Sequence, residues 1–94
     1  MDKKLSFCKV YGNTGRNRVL DFLLENRELD FPISTIAIET ELSRQRVYTI
    51  LKSFKRSKLV KNSRTMSATN FYILNVEDSL VKILIDSFDR IITL

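Results

Sequence analysis

Residues 42–54 read LSRQRVYTILKSF. Ser43 is a residue type that starts a helix by accepting a backbone N–H. Val47, Ile50, Leu51 and Phe54 follow at the i, i+3, i+4, i+7 spacing of one buried helical face. The pattern predicts a helix over 44–57. Its first turn carries Arg44 and Arg46, where unpaired N–H groups and the helix dipole favour an anion over a cation. Two arginines at that end point to a negative charge supplied from outside the helix.

The composition around this stretch narrows what the protein can be. Ninety-four residues make one small domain with a modest core, for which assembly with a second copy is unsurprising. A hydrophobic content of 44% with only two glycines and one proline predicts a mostly helical globular chain rather than a disordered one. The opening MDKKLSFCKVYGN lacks the apolar run of a signal peptide. No stretch of about 18 uncharged apolar residues is present to cross a bilayer. A cytoplasmic protein with no membrane partner is expected. A single cysteine, Cys8, cannot form an internal disulfide, and the chain has no histidine from which to assemble the usual zinc ligand sets. No metal or cofactor is therefore expected, and Cys8 reads as a small buried apolar residue. With no glycine-rich phosphate loop and no nucleophile–base arrangement, an enzyme is not expected either.

Charge is distributed unevenly. The net charge is +5, but Leu42 to Val76 holds eight basic residues (Arg44, Arg46, Lys52, Lys55, Arg56, Lys58, Lys61, Arg64) and no acidic one. Solvated faces usually mix the two signs. Thirty-five consecutive residues without a carboxylate suggest a face that meets a polyanion.

Reading outward from the central helix finds one domain over 1–94, with no repeat and no linker. Residues 1–12 alternate loosely (Leu5, Phe7, Val10, Tyr11) and fit an arm, a short helix or an edge strand. Asn13 or Thr14 can cap a helix running to about Asn26 that buries Val19, Leu20, Leu23 and Leu24. Pro32 suits the first turn of a second helix, about 32–40, burying Ile33, Ile36 and Ala37. After Lys58 the texture changes. Leu59 to Lys61 and Phe71 to Leu74 read as paired strands, with Tyr72 and Leu74 toward the core. The intervening NSRTMSATN has no glycine, which predicts a longer, mobile loop rather than a two-residue turn.

The last segment, 76–94, predicts a helix capped by Asn75, with Glu77 and Asp78 where the dipole favours them. Leu80, Val81, Leu84, Ile85, Phe88, Ile91 and Ile92 give it an apolar face wider than docking onto one small domain requires. The expected use is a homodimer interface, with packing against the first helix as the alternative. Its acidic polar face has the wrong sign for anionic lipid.

The stretch FPISTIAIETELSRQRVYTILKSFKRSKLVK (31–61) resembles the helix-turn-helix of winged-helix regulators, agreeing at Ile36, Ala37, Thr40, Leu42, Ser43, Val47 and Leu51. With the preceding helix, the resemblance extends over about 13–75. The fold class it implies is mainly α with a small β-hairpin: a winged helix-turn-helix followed by a C-terminal dimerisation helix. The family often places glycine in the turn, where this chain has Glu41. A left-handed backbone there costs a non-glycine residue about 1 kcal/mol, so a turn differing in detail is expected.

The implied function is sequence-specific binding to double-stranded DNA by a homodimeric transcriptional regulator, most simply a repressor. In this reading helix 44–57 enters the major groove and the wing, 62–70, meets the minor groove. At 100° per residue, Gln45, Thr49, Lys52 and Arg56 lie opposite the apolar face. Gln45 suits an adenine edge, Arg44 or Arg46 a guanine, and Thr49 a thymine methyl or a phosphate. Ser43 and Tyr48 complete the amino-terminal contact set. Lys52, Lys55, Arg56 and Lys61 are expected on phosphates, and Arg64 in a narrow minor groove. The alternatives are a DNA-organising or plasmid-partition protein, and a winged helix used to bind another protein.

Overall fold

Thr14 opens the first long helix by accepting the N–H of Asn17 on its Oγ1 at 3.1 Å. Helix α2 (Gly15–Glu25) then buries Val19, Leu20, Leu23 and Leu24. The computed structural model describes residues 7–94. Before α2 stands a single short helix, α1 (Phe7–Tyr11), which buries Phe7. Of the three forms open to residues 1–12, the helix is the one adopted over Phe7–Tyr11; Leu5 lies outside the described residues. After α2 come β1 (Phe31–Pro32), α3 (Ile33–Thr40), α4 (Arg44–Arg56), β2 (Val60–Met66), β3 (Thr69–Leu74) and α5 (Ser79–Ile92).

Pro32 precedes α3 instead of occupying its first turn, because Phe31 and Pro32 pair with Tyr72 and Phe71 of β3. The expected hairpin is thus a three-stranded antiparallel sheet ordered β1-β3-β2. Two residues containing a proline carry no strand signal. The ring is tolerated because β1 is an edge strand.

The α3–α4 turn corrects the expectation drawn from Glu41. Glu41 adopts the left-handed conformation, φ 60° and ψ 38°. Its N–H reaches Ile38 O at 3.3 Å and that of Leu42 reaches Ala37 O at 3.1 Å. These two bonds are the paired closure that a left-handed residue after a helix permits. Arg18 of α2 steadies the corner, donating to the carbonyl of Thr40 and lying 3.6 Å from the Glu41 carboxylate. Lys58 repeats the device after α4, with φ 66° and Leu59 N–H bonded to Phe54 O at 2.8 Å.

The wing is also tighter than its sequence suggests. β2 and β3 extend to Met66 and from Thr69, leaving a two-residue turn in which Ser67 (φ 50°) and Ala68 (φ 65°) are both left-handed. Two left-handed central residues match the right-handed twist of the flanking strands, so the geometry forms even without asparagine or glycine. Tyr72 and Leu74 face the core as expected.

Asn75 does not cap the last helix. Its N–H bonds Leu59 O at 2.9 Å and its side chain donates to Lys58 O at 3.1 Å, tying the end of β3 to the end of α4. The cap is Asp78, whose carboxylate accepts the N–H groups of Leu80 and Val81. One continuous core joins Val19, Leu23, Leu24, Ile36, Val47, Leu51, Phe54, Val60, Leu74 and Val81. Truncating any of its large members to alanine should cost about 2–5 kcal/mol.

Two substitutions check this account. Glu41→Gly should raise unfolding stability by about 1 kcal/mol, because glycine reaches the left-handed region without a Cβ penalty. A loss of stability in denaturant titration would show that the Arg18 contact outweighs that strain. Asp78→Ala should lower stability by about 1 kcal/mol through the lost cap.

Candidate nucleic-acid interface

Helix α4 separates two chemistries along its length. Val47, Ile50, Leu51 and Phe54 are buried, while Arg44, Gln45, Arg46, Tyr48, Thr49, Lys52, Lys55 and Arg56 are exposed. Tyr48 is half exposed, at 50%. Ser43 caps the helix, its Oγ accepting the N–H of Arg46 at 3.1 Å. Thr49 donates its hydroxyl to Gln45 O at 3.1 Å, which commits that proton to the helix.

The cations divide by what holds them. The salt bridges between described residues are Arg18–Glu41, Arg27–Asp89, Arg64–Asp30 and Arg90–Asp86. Arg44, Arg46, Lys52, Lys55, Arg56, Lys58 and Lys61 therefore face solvent without a carboxylate partner among the described residues. Lys55 donates to Asn62 on β2, linking α4 to the wing.

Arg46 lies against the amino end of α2. A Cβ on Gly15 would stand 2.8 Å from Arg46 Nη2 and 3.1 Å from its Cζ, so the glycine makes room for the guanidinium. Arg16 joins the same surface, donating to Ser53 Oγ at 3.1 Å with its guanidinium 4.9 Å above the Phe54 ring. Sequence reasoning missed Arg16 and Gly15. They lie outside the carboxylate-free stretch, and only the packing of α2 on α4 brings them to this face.

Arg64 is placed differently from expectation. The register slips between Asn62 and Arg64, so that Arg64 pairs with Phe71. A bulge turns the following residue onto the other face of a strand. Arg64 therefore sits over the Phe71 ring, 4.5 Å from its centroid, instead of at the wing tip. Its Nε and Nη2 donate to the two Asp30 oxygens at 2.9 and 3.2 Å, and Ser63 Oγ donates to the same carboxylate at 2.5 Å. These bonds from Ser63 and Arg64 hold the Asp30 carboxyl below the usual carboxylate range. Lys61 is exposed, pairing across the hairpin with Ile73.

The seven apolar residues expected at one interface on α5 do not share a fate. Val81, Phe88 and Ile91 are buried inside the subunit, and Leu84 and Ile85 pack against its core. Leu80 (51%) and Ile92 (43%) remain exposed, joined by Ile83 and Leu94. Beside them α1 exposes Val10 and Tyr11, and Tyr11 Oη lies 3.5 Å from Ser87 Oγ on α5. At 100° per residue Val81 and Phe88 point about 90° away from Leu80, but buried Ile91 points near Leu80 and exposed Ile92 near Val81, so what the helix packs against decides the split.

A three-helix unit that turns through a left-handed residue into an exposed cationic helix, followed by a two-stranded hairpin, defines a winged helix-turn-helix. Solved structures agree with that class. The chain superposes on HlyU from Vibrio cholerae N16961 with a TM-score of 0.65 and 25% identity, over 82% of this chain and 78% of that one. A reduced form of the same protein gives 0.63 at 25% identity, over 78% and 74% of the two chains. The fold is shared as well with a transcriptional regulator, HlyU from Vibrio vulnificus CMCP6, at a TM-score of 0.65 and 20% identity over 86% and 81%. No protein-family model and no curated protein matches the chain.

The Asp30 contact carries a pH prediction. A carboxyl with a lowered folded pKa favours the folded arrangement at neutral pH. That contribution disappears as pH falls through the lowered value. The Arg64 side-chain N–H resonance should therefore hold its position through the ordinary carboxylate range and move only below it. In Asp30→Asn the transition should be absent.

Proposed function

We propose that the protein is a sequence-specific double-stranded DNA-binding transcriptional regulator acting as a homodimer. The observation that carries this reading is the solvent face of α4, which is cationic and free of carboxylates. Arg44, Gln45 and Arg46 reach base edges or adjacent phosphates in the major groove. Thr49, with its hydroxyl proton held by Gln45 O, meets a thymine methyl more readily than a phosphate. Tyr48 flanks this set. Ser43 fixes the helix start, and its exposed hydroxyl accompanies the first-turn N–H groups toward a phosphate. Lys52, Lys55, Arg56 and Lys61 contact the backbone and set register. The wing lies at the minor groove, where Arg64 exchanges Asp30 for the duplex. Bound upstream of a gene, such a dimer represses by occupying the site.

A second copy covers Leu80 and Ile83 of α5 together with Val10 and Tyr11 of α1, exposed apolar residues of the kind that mark an interaction site. A two-fold axis through that contact sets the two α4 helices into successive major grooves about 34 Å apart on a palindromic site.

Selection of bound duplexes from a random pool, followed by footprinting, tests the reading. A palindromic site should emerge. With about 6–10 phosphates neutralised, affinity should fall by orders of magnitude between about 50 and 200 mM salt. A flat salt response or a pool with no enrichment overturns it, and protection spreading far beyond one site favours a DNA-organising role. Arg46→Ala separates base reading, seen as relaxed preference at one base pair, from phosphate contact, seen as uniform weakening. The double variant Leu80→Glu, Ile83→Glu should sediment as a monomer at concentrations where the unaltered protein is a dimer.

A further inference from the structure

An open cavity of about 530 Å³ lies where the amino end of α3, the first turns of α4 and the start of β3 converge. Ser34, Arg44, Gln45, Tyr48, Asn70 and Tyr72 contribute to its walls, and among the described residues no acidic one does. Tyr72 is the informative member. Its ring belongs to the hydrophobic core, and the residue is only 8% exposed. Its hydroxyl makes no hydrogen bond to any described residue. Among the described residues no fully buried polar side-chain atom lacks a partner, so this oxygen keeps some exposure, and Tyr72 is one of the residues that line the cavity. A phenylalanine would fill the same volume, so packing alone does not require this hydroxyl, which has no hydrogen-bond partner among the described residues. The group is thus arranged for something that enters from outside.

The surroundings select the charge of that ligand. Helix α3 starts at Ile33 after Pro32, with no side-chain cap and no acidic residue in its first turn, so its leading N–H groups have no side-chain partner. Arg44 has no carboxylate partner, and no described group bonds the side-chain hydroxyls of Ser34 or Tyr48. Backbone donors, a guanidinium and hydroxyls converging on one space, with no opposing carboxylate, form an oxyanion seat.

We propose that this cavity seats one phosphate of the DNA backbone, with Tyr72 Oη donating a hydrogen bond to it. The α3 amino end and Arg44 supply the positive field. This inference rests on the DNA-binding reading above. The seat lies between α4 and the wing, so a phosphate held there belongs to the same duplex that both elements meet. Tyr72 is then a neutral ligand rather than only a core residue.

The test compares full-length Tyr72→Phe, Arg44→Ala and the unaltered protein on a selected duplex and on duplexes carrying a single neutral methylphosphonate at successive positions. Tyr72→Phe should bind about tenfold more weakly, the loss expected for one hydrogen bond to a charged group. Its salt slope should be unchanged, since no cation is removed, and its melting temperature unchanged or higher. Arg44→Ala should instead reduce the salt slope by about one. One methylphosphonate position should weaken the unaltered protein more than it weakens Tyr72→Phe, which keeps only the attraction of Arg44 and the α3 amino end there. Equal affinity of Tyr72→Phe and the unaltered protein, or no position coupled to Tyr72, overturns the seat while leaving DNA binding standing. Failure of every duplex to bind overturns the DNA-binding reading and this seat with it. In that case, Tyr72-dependent shifts of the Ser34 and Thr35 amides on adding inorganic phosphate alone would reassign the cavity to a free anion.

Discussion

A glutamate held at φ 60° and ψ 38° sets the direction in which α4 leaves α3. The conformation costs a residue with a Cβ about 1–2 kcal/mol, and the neighbourhood is built to hold it. Two backbone hydrogen bonds close the end of α3. Thr40, buried to 4% exposure, donates its hydroxyl to Ile36 O at 2.6 Å. Arg18 reaches across from α2 to the Thr40 carbonyl. With the corner fixed, Val47, Ile50, Leu51 and Phe54 fall on the core and the cations on the opposite side. The same rotation that buries one face therefore determines which charges reach solvent.

The wing depends on a second constraint. A bulge beside Ser63 moves Arg64 onto the face of Phe71, where Asp30 engages it from the start of β1. An aspartate before α3, an arginine in β2 and an aromatic ring in β3 thereby become one cluster. Asn75 and Lys55 tie the other end of the hairpin to α4. The hairpin is anchored at both ends to the elements that carry the recognition helix, so helix and wing present a common surface.

What the sequence disclosed and what it hid divide along physical lines. The helix over 44–56, its Ser43 cap and its buried stripe were legible, because a cap followed by 3.6-residue periodicity is a local signal. The inward side of β3 was legible from alternation at Tyr72 and Leu74. The two-residue β1 was not, since a strand so short exists only through its partner. Glu41, Ser67 and Ala68 misled because turn chemistry favours glycine where, here, helix closure with Arg18 and the β2–β3 ladder hold the left-handed region without it. On α5 the apolar residues were found, but Val81 and Phe88 could be separated from Leu80 only by the positions of α1 and α2. Arg16, Gly15 and the hydroxyl of Tyr72 gave no signal in the chain, as each acquires its setting from elements distant in sequence.

The wing turn of Ser67 and Ala68 has a bearing on association as well as on shape. Ser67 and Ala68 carry a left-handed strain that glycine would avoid, and what holds the turn is the ladder, which continues to Met66 and Thr69 beside the tip. A loop that is already ordered gives up little freedom when it docks, so less of the interaction energy is consumed in immobilising it. Preorganisation of this kind lengthens residence time more than it speeds encounter. A hairpin paired up to its turn thus favours slow departure over fast arrival.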